Sequence, residues 1–148
     1  MKSFINSVTT TTTGWDTLPL RVGAGAIFAA HGAQKLFGWF GGYGLEGTAG
    51  WMTSIGLEPG LLMATAAGSA EFIGGLLLMA GLLVRPAALV LAITMIVAIL
   101  TVHLQNGLFM SNNGYEFGLA LLVVSVGLVF RGAGSFSADR ALQAQLAK

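Results

Sequence analysis

The chain has 148 residues, of which 55% are apolar and only 9% are Asp, Glu, Lys or Arg, and its net charge is +1. A soluble domain carries about 25% charged residues because its surface must face water. Lipid is therefore the solvent that this composition predicts. The near-zero net charge and the lack of a basic cluster argue against nucleic acid as a partner. The absence of cysteine excludes disulfides, thiol chemistry and iron–sulfur clusters held by this chain.

Four apolar segments come close to the length of about 20 residues that a membrane-spanning helix needs. They cover residues 18–37, 61–84, 87–104 and 115–130. Pro86, just before the third segment, suits the first turn of a helix, where its missing N–H costs nothing. We therefore predict an all-α polytopic membrane protein, a four-helix transmembrane bundle over residues 18–131. A polar N-terminal tail (1–17) precedes it, and a cytoplasmic C-terminal segment (132–148) follows.

The basic residues predict the orientation of these helices. In a four-span topology, six of the seven Lys and Arg side chains lie on the side of the two termini, and only Lys35 lies near the other side. The six are Lys2, Arg21, Arg85, Arg131, Arg140 and Lys148. Cytoplasmic ends of membrane helices carry an excess of Lys and Arg. Both termini are therefore predicted to be cytoplasmic, with Arg21 and Arg85 in structural or interfacial positions.

The two ends of the chain carry local signals. The first 17 residues, with the Thr-rich run 9–13, indicate a disordered or weakly ordered tail, and this leader is too long and polar for a signal peptide. After the fourth helix, residues 132–134 indicate a break. Ser137 is then expected to cap a short C-terminal helix at the cytoplasmic surface.

The connection 38–59 between the first two helices is rich in glycine and in aromatic residues, among them Trp39 and Trp51. Aromatic side chains favour the membrane–water interface. Thr48 is expected to cap a short helix that ends at Gly56. The main interpretation is an interfacial loop anchored in headgroups, and the alternative is a lid over a cavity, since long loops are often functional.

The second and fourth segments resemble each other. The sequence EFIGGLLLMAGLLVR (71–85) and the sequence EFGLALLVVSVGLVFR (116–131) both begin with Glu-Phe and end with Arg. The helices before them end similarly, in HGAQKLF (31–37) and HLQNGLF (103–109). Polar residues recur at matched places, which apolar bias alone does not produce. The pattern predicts a tandem helix-hairpin repeat, with the two hairpins related by an axis along the membrane normal.

One or more ionisable residues in each helix are predicted to reach the outer half of the membrane. At a rise of 1.5 Å per residue, His31, Glu71 and Glu116 lie roughly 20–22 Å from the cytoplasmic ends of their helices, and His103 lies roughly 27 Å away. Lys35 follows His31 by four residues, shares its face and is expected to pair with a glutamate. Such residues usually face a bundle interior, so Glu71 is expected to point at another helix.

Several kinds of site are compatible with His31, Lys35, Glu71, His103 and Glu116. These side chains could simply hydrogen-bond the helices together. They could bind a quinone, because its carbonyl oxygens need donors such as His or Lys and a histidine can move the proton. A proton or small-solute pathway is another alternative. A metal site is not predicted, because the chain lacks the Glu-x-x-His pairs of di-iron bundles, and a bis-histidine haem is disfavoured by the different depths of His31 and His103.

Four dispersed stretches of the chain resemble the DoxX family of small bacterial and archaeal membrane proteins. The stretches are LPLRVGAGAIFAAHGAQKLFGWFGG from Leu18, AEFIGGLLLMAGLLVRPAA from Ala70, NGYEFGLALL from Asn113 and the ending GAGSFSADRAL from Gly132. They occur in the family's order between Leu18 and Leu142. Arg21, His31, Lys35, Glu71 and Glu116 fall on its characteristic motifs, but the family has no settled set of catalytic residues.

The resemblance implies a multi-pass protein of the bacterial or archaeal cytoplasmic (inner) membrane with a role in redox metabolism. The family is named for a subunit associated with thiosulfate:quinone oxidoreductase, and its members are often described as oxidoreductases. We therefore expect a subunit that binds a quinone in the outer half of the bundle and needs a soluble redox protein as electron source. The alternatives are a non-enzymatic scaffold, in which Asp139 and Arg140 govern partner capture, and a small-solute transporter. A homo-oligomer is compatible with all three.

Overall fold

A computed structural model describes residues 9–146, and within that range all regular secondary structure is helical, without a strand. Its α-helices are α1 (Thr17–Phe37), α2 (Gly44–Ser54), α3 (Gly60–Ala80), α4 (Val84–Ala98), α5 (Glu116–Arg131) and α6 (Ala138–Leu146). A π-helical turn (Ile99–His103) and a 3-10 turn (Leu104–Asn106) continue α4. Among the described residues, the helices Gly60–Ala80 and Val84–Asn106 are long and apolar enough to cross a membrane. The all-α class is thus confirmed.

The turn between α3 and α4 lies earlier than the apolar pattern suggested. Gly81 adopts a left-handed conformation (φ 67°), and the N–H groups of Gly81 and Leu82 donate to the carbonyls of Leu78 and Leu77 at 3.1 and 3.0 Å. This arrangement is a Schellman motif, in which glycine ends a helix because it has no Cβ to clash. The predicted second helix to Val84 was therefore too long, and Val84 instead begins α4.

Close backbone contact joins α1 to α3. A Cβ on Gly75 would lie 2.5 Å from the backbone nitrogen of Ala29, and one on Gly32 would collide with the backbone nitrogen of Phe72. A Cβ on Gly25 would likewise lie 2.7 Å from the carbonyl oxygen of Gly75. Small residues at such positions let two helical backbones approach closely. These glycines therefore fix the spacing of α1 and α3.

One apolar core is shared by α1, α3, α4 and α5. Phe28, Leu78, Leu91 and Leu128 are each at most 1% exposed and come from these four helices in turn. Many other large apolar side chains remain exposed on the outer faces of the same helices, such as Ile73, Ile93 and Val123. The helices are thus apolar on both their inner and outer faces, which is the pattern of helices surrounded by lipid.

The two ends of this helical core differ, and we name them by their residues. The loop end comprises residues 38–59 and 104–115, and the tail end comprises residues 9–16, 81–84 and 131–139. At the loop end, Thr48 lies inside α2 and does not cap it, so that prediction was wrong. Its hydroxyl instead donates to the carbonyl of Lys35 at 3.4 Å, and Met52 on the same helix is buried. Helix α2 therefore packs onto the end of α1.

At the tail end, Arg21 of α1 is only 2% exposed although its guanidinium keeps its charge in proteins. Its Nη1 donates to the carbonyls of Leu78 (3.1 Å) and Met79 (2.8 Å), its Nε to Ala133 (3.0 Å) and its Nη2 to Phe136. The carbonyls at the end of a helix have no partner within it. Arg21 supplies partners for two carbonyls at the end of α3 and ties the segment after α5 to them.

Asp139 of α6 is buried at the same end, with 1% of its surface exposed. Its carboxylate accepts the N–H groups of Leu83 (2.7 Å) and Val84 (3.1 Å), and its own N–H donates to the Gly81 carbonyl. Burial raises the pKa of this carboxyl above its ordinary value, although both N–H donors and the charge of Arg21 act in the opposite direction. Asp139 therefore caps α4. Of the two residues that the scaffold alternative assigned to partner capture, Asp139 is buried and Arg140 is exposed.

The described part of the N-terminal tail, residues 9–16, contacts the segment after α5, while residues 1–8 lie outside the described range; weak order of the tail stays a prediction. Gly14 exchanges two hydrogen bonds with Ser135, through its N–H to the hydroxyl and through its carbonyl to the N–H, both at 2.9 Å. Arg85 donates to the carbonyls of Thr10 (2.7 Å) and Phe130 (3.0 Å). The N-terminal tail and the segment after α5 are thereby hydrogen-bonded to each other at the tail end.

The predicted cap of the C-terminal helix is confirmed. The hydroxyl of Ser137 accepts the N–H of Arg140 at 3.2 Å, as a serine before a helix does.

Replacing Gly32 by alanine should destabilise the protein by about 1–3 kcal/mol, because the added Cβ forces α1 and α3 apart. Gly23→Ala on the same helix is the matched control, since a Cβ there would meet nothing within 4 Å. That substitution should be neutral or stabilising by at most about 1 kcal/mol. Thermal unfolding in detergent measures both, and equal stability of the two variants would contradict the close-packing argument.

Asp139→Ala should cost about 0.5–2 kcal/mol, the usual loss when a side chain that caps helix N–H groups is removed. Asp139→Asn should cost less, because the amide oxygen still accepts an N–H and carries no charge to bury. The exposed neighbour gives the control Arg140→Ala, which should leave stability unchanged. Chemical unfolding of the three variants checks the order, and an equal effect of the Asn and Ala substitutions would refute the capping role.

Candidate functional site

An ion pair between α1 and α3 is the centre of the candidate site. The Nζ of Lys35 lies 2.6 Å from Oε2 of Glu71, and the two side chains are 25% and 5% exposed. Glu71 is the twelfth residue of α3, about 16 Å from the start of that helix at a rise of 1.5 Å per residue. The expectations that Lys35 pairs with a glutamate and that Glu71 faces another helix are both confirmed.

The close approach of α1 and α3 positions this pair. A Cβ on Gly68 would lie 2.8 Å from the side chain of Leu36 and 3.3 Å from Cβ of Lys35, so glycine lets the last turns of α1 lie directly on α3. Thr48 then holds the backbone of Lys35 from the side of α2. A buried ion pair is stable only when its geometry is good, and here three helices supply that geometry.

His31 lies one turn before Lys35 on α1 but at the edge of the buried face. It is exposed on the outside of the helices, whereas Phe28 beside it is buried. Its ring lies 6.1 Å from that of Phe117 in α5, with 50° between the planes. The face that Lys35 was expected to share with His31 thus divides, with Lys35 turned inward and His31 turned towards the junction of α1 and α5.

His103 and Glu116 belong to a different structure at the loop end. The Nδ1 of His103 lies 2.9 Å from the carbonyl oxygen of Asn113, and Oε1 of Glu116 accepts the N–H of Met110 at 2.6 Å. Both contacts close the connection between α4 and α5 on itself. Among the described residues, no three His, Asp or Glu side chains are grouped closely enough to hold a metal ion.

The five predicted site residues therefore fall into two groups. His31, Lys35 and Glu71 lie together on α1 and α3, while His103 and Glu116 brace the loop end. Glu71 is in the middle of its helix and Glu116 is the first residue of its own. Glu71 and Glu116, which the helical rise predicts at equal depths, thus lie in different environments. The tandem repeat stays a prediction.

The tryptophans of the connection 38–59, predicted to be interfacial, lie on the outside of the protein. Trp39 is 55% exposed and Trp51 is 42% exposed. The tryptophan positions fit an exposed apolar loop end. Phe117, which the sequence reasoning did not select, is the aromatic residue beside His31, and its signal was its place directly after Glu116 on the family-like motif.

An apolar groove of about 360 Å³ lies between α3 and α4, lined by residues that include Ile73, Leu77, Pro86 and Val90. Its one polar lining residue is Ser69. Glu71 is on the opposite side of α3, towards α1, so this groove is separate from the ion pair.

These features define a small all-helical protein whose apolar helices carry a buried ion pair. Residues 17–104 match the DoxX family, which is membrane-associated, and the chain belongs to that family. It is 39% identical over 123 residues to a Bacillus subtilis (strain 168) protein named "Putative oxidoreductase CatD", covering 83% of this chain and 84% of that protein. It is also 32% identical over 127 residues to an uncharacterized protein of Haemophilus influenzae, covering 81% and 85% of the two chains. No solved structure gives a significant match.

Removing one partner of the ion pair should destabilise the protein more than removing both. Lys35→Met leaves a buried carboxylate unpaired, which typically costs about 3–5 kcal/mol. The double variant Lys35→Met with Glu71→Leu should lose less than the sum of the two single losses, because no charge remains buried. Unfolding free energies of the four proteins form a double-mutant cycle, and additive losses would show that the two side chains do not interact.

Proposed function

We propose that α1, α3, α4 and α5 cross the cytoplasmic membrane as a four-helix bundle, with both termini in the cytoplasm. Helices α3 and α4 have the length and apolarity for this, and α1 has 21 residues against the roughly 20 that a span requires. The tail end and the helix turns next to it carry four arginines, Arg21, Arg85, Arg131 and Arg140. The cytoplasmic side of a membrane protein carries such an excess of basic residues. The loop end with its exposed tryptophans then lies at the opposite interface.

We further propose that the protein is a redox-associated membrane subunit that binds a quinone at His31, Lys35 and Glu71. The observation that carries the proposal is the Lys35–Glu71 pair, buried between helices at a depth where ionisable residues usually serve a function. Its membership of the DoxX family and its likeness to a protein named as an oxidoreductase support a redox role.

Each of the three side chains has a chemical part in this proposal. The Lys35 ammonium has three N–H donors, so it can hold Glu71 and also donate to one quinone carbonyl. The imidazole of His31, one turn away, donates to another and can accept or release a proton. Glu71 keeps the ammonium charge paired while protons move. Two electrons and two protons convert a quinone into a quinol, and the electrons come from a soluble redox protein.

Binding of ubiquinone to the protein in lipid nanodiscs tests the proposal. His31→Ala should weaken binding by about tenfold, because the loss of one hydrogen bond to the ligand corresponds to about 1.4 kcal/mol. Glu71→Gln should also weaken binding, because Lys35 loses the carboxylate that holds its ammonium in place. Native mass spectrometry of the nanodiscs reports retained quinone, and titration gives the dissociation constants.

Matched controls come from the two residues that the structure places at the loop end. His103→Ala and Glu116→Gln change the same residue types and should leave ubiquinone binding unchanged. Thermal unfolding of all four variants shows that the protein remains folded. Full binding by folded His31→Ala and Glu71→Gln proteins would refute the site.

A further inference from the structure

We infer that the groove between α3 and α4 is a lipid site, which holds one acyl chain of an anionic phospholipid whose phosphate pairs with Arg140. The inference goes beyond the proposed function and takes from it only the crossing of the membrane by α3 and α4. It rests on the shape of the groove, on a strained leucine at its tail-end mouth and on an arginine there whose side chain has no partner.

The groove is apolar and open to the outside of the two helices. Ile73 and Val90 at its rim are 54% and 47% exposed. Its floor is filled from within the protein, because the side chain of Leu91 occupies the space beside Gly74, where a Cβ would lie 3.0 Å from it. In a bilayer, hydrocarbon chains are the molecules that meet such a surface.

The dimensions of the groove suit one acyl chain better than a second helix. Its lining residues on α3 run from Ser69 to Leu77, roughly 12 Å at the rise of a helix. Over that length, a volume of about 360 Å³ corresponds to a mean cross-section of roughly 30 Å², whereas a helix with its side chains fills roughly 80–110 Å². Ser69 lies roughly 16 Å from the end of α3, about half the thickness of the hydrocarbon core. The groove therefore spans one leaflet, from the tail end to the middle of the membrane.

Leu83, which lines the tail-end mouth of the groove, has an unusual backbone conformation. Its φ is 49°, in the left-handed region that residues with a Cβ rarely adopt. The Asp139 carboxylate stabilises this conformation by accepting the N–H of Leu83 at 2.7 Å. Strained backbone conformations cluster at ligand sites. The strain at Leu83 therefore supports a binding role for the apolar mouth.

The arginines at this end of the molecule differ in their partners. Arg21 and Arg85 donate to backbone carbonyls, and Arg131 forms an ion pair with an aspartate. Arg140 is exposed, and its guanidinium makes no hydrogen bond or ion pair with any other residue that the structure describes. Arg140 is thus the arginine that is free to bind an anion.

Arg140 also lies close to the groove and at the level expected for headgroups. It directly follows Asp139, which contacts Leu83, so its Cα is about 3.8 Å from that of a residue bonded to the mouth. The exposed aromatic pair of Trp15 and Phe136 lies at the same end, as aromatic side chains do at a membrane–water interface. A guanidinium can bind phosphate through two parallel hydrogen bonds. An anionic headgroup is favoured because it carries no cation of its own to compete for that phosphate.

Native mass spectrometry tests the site on protein taken from bilayers of equal parts phosphatidylglycerol and phosphatidylcholine with the same acyl chains. The unaltered protein should retain one phospholipid, with phosphatidylglycerol favoured several-fold. Ala70→Phe fills the groove and should abolish this retention. The matched control is Ala26→Phe on the exposed face of α1, which should leave retention unchanged. Thermal unfolding shows that both variants remain folded.

The two residues at the mouth have variants of their own. Arg140→Gln should remove the preference for phosphatidylglycerol, whereas Arg140→Lys, which keeps the positive charge, should retain most of it. Leu83→Gly should lower phospholipid retention several-fold while the protein stays folded. Glycine adopts a φ of 49° freely but has no side chain to line the mouth.

Three outcomes would overturn the lipid site. They are equal retention by folded Ala70→Phe protein, a phosphatidylglycerol preference that survives Arg140→Gln, and a dimer that Ala70→Phe converts into monomers. In the last case, a helix of a second copy would occupy the groove. Ubiquinone binding should be unaffected by Ala70→Phe, because Glu71 lies on the opposite side of α3. Absent phospholipid retention with intact ubiquinone binding would therefore overturn this inference and leave the proposed function standing.

Discussion

The close approach of α1 and α3 is the constraint on which the rest of the structure depends. Gly25, Gly32, Gly68 and Gly75 bring the two backbones into contact, and only at that separation can the Lys35 ammonium reach Glu71 within 2.6 Å. A Cβ at these positions would push the helices apart and leave a carboxylate buried without its partner. The ion pair therefore depends on the close packing by small residues, since a buried charge is tolerated only when paired.

A second set of buried charges works at the tail end for a different purpose. Arg21 donates to carbonyls at the end of α3, and Asp139 accepts the first N–H groups of α4. Helix ends leave backbone groups without partners, and a short three-residue turn provides few of its own. The two side chains satisfy these groups from a distance, which is why both chain ends fold over the turn and form part of the helical core.

The charged side chains at the two ends of the molecule and those at the candidate site differ in their hydrogen-bond partners. Arg21 and Asp139 bond to backbone groups at the tail end, and His103 and Glu116 bond to backbone groups that close the loop end. The Lys35 side chain, by contrast, has donors beyond its bond to Glu71, and His31 beside it is exposed. A ligand of the proposed kind would therefore find hydrogen-bond donors on Lys35 and His31, within the apolar part of the helices.

The sequence by itself determined the all-helical class, the approximate helix positions and the cap by Ser137, because these follow from local periodicity and capping chemistry. It also indicated that Lys35 pairs with a glutamate, because charges within membrane helices usually pair with one another. Only the tertiary structure decided that the tail residues 9–16 contact the segment after α5, that Asp139 is buried, and that His103 and Glu116 lie apart from the Lys35–Glu71 pair. Helical rise gives the depth of a residue but not its direction, and direction depends on the rotation and spacing of neighbouring helices. Those are set by contacts between residues far apart in the chain, such as Gly32 with Phe72.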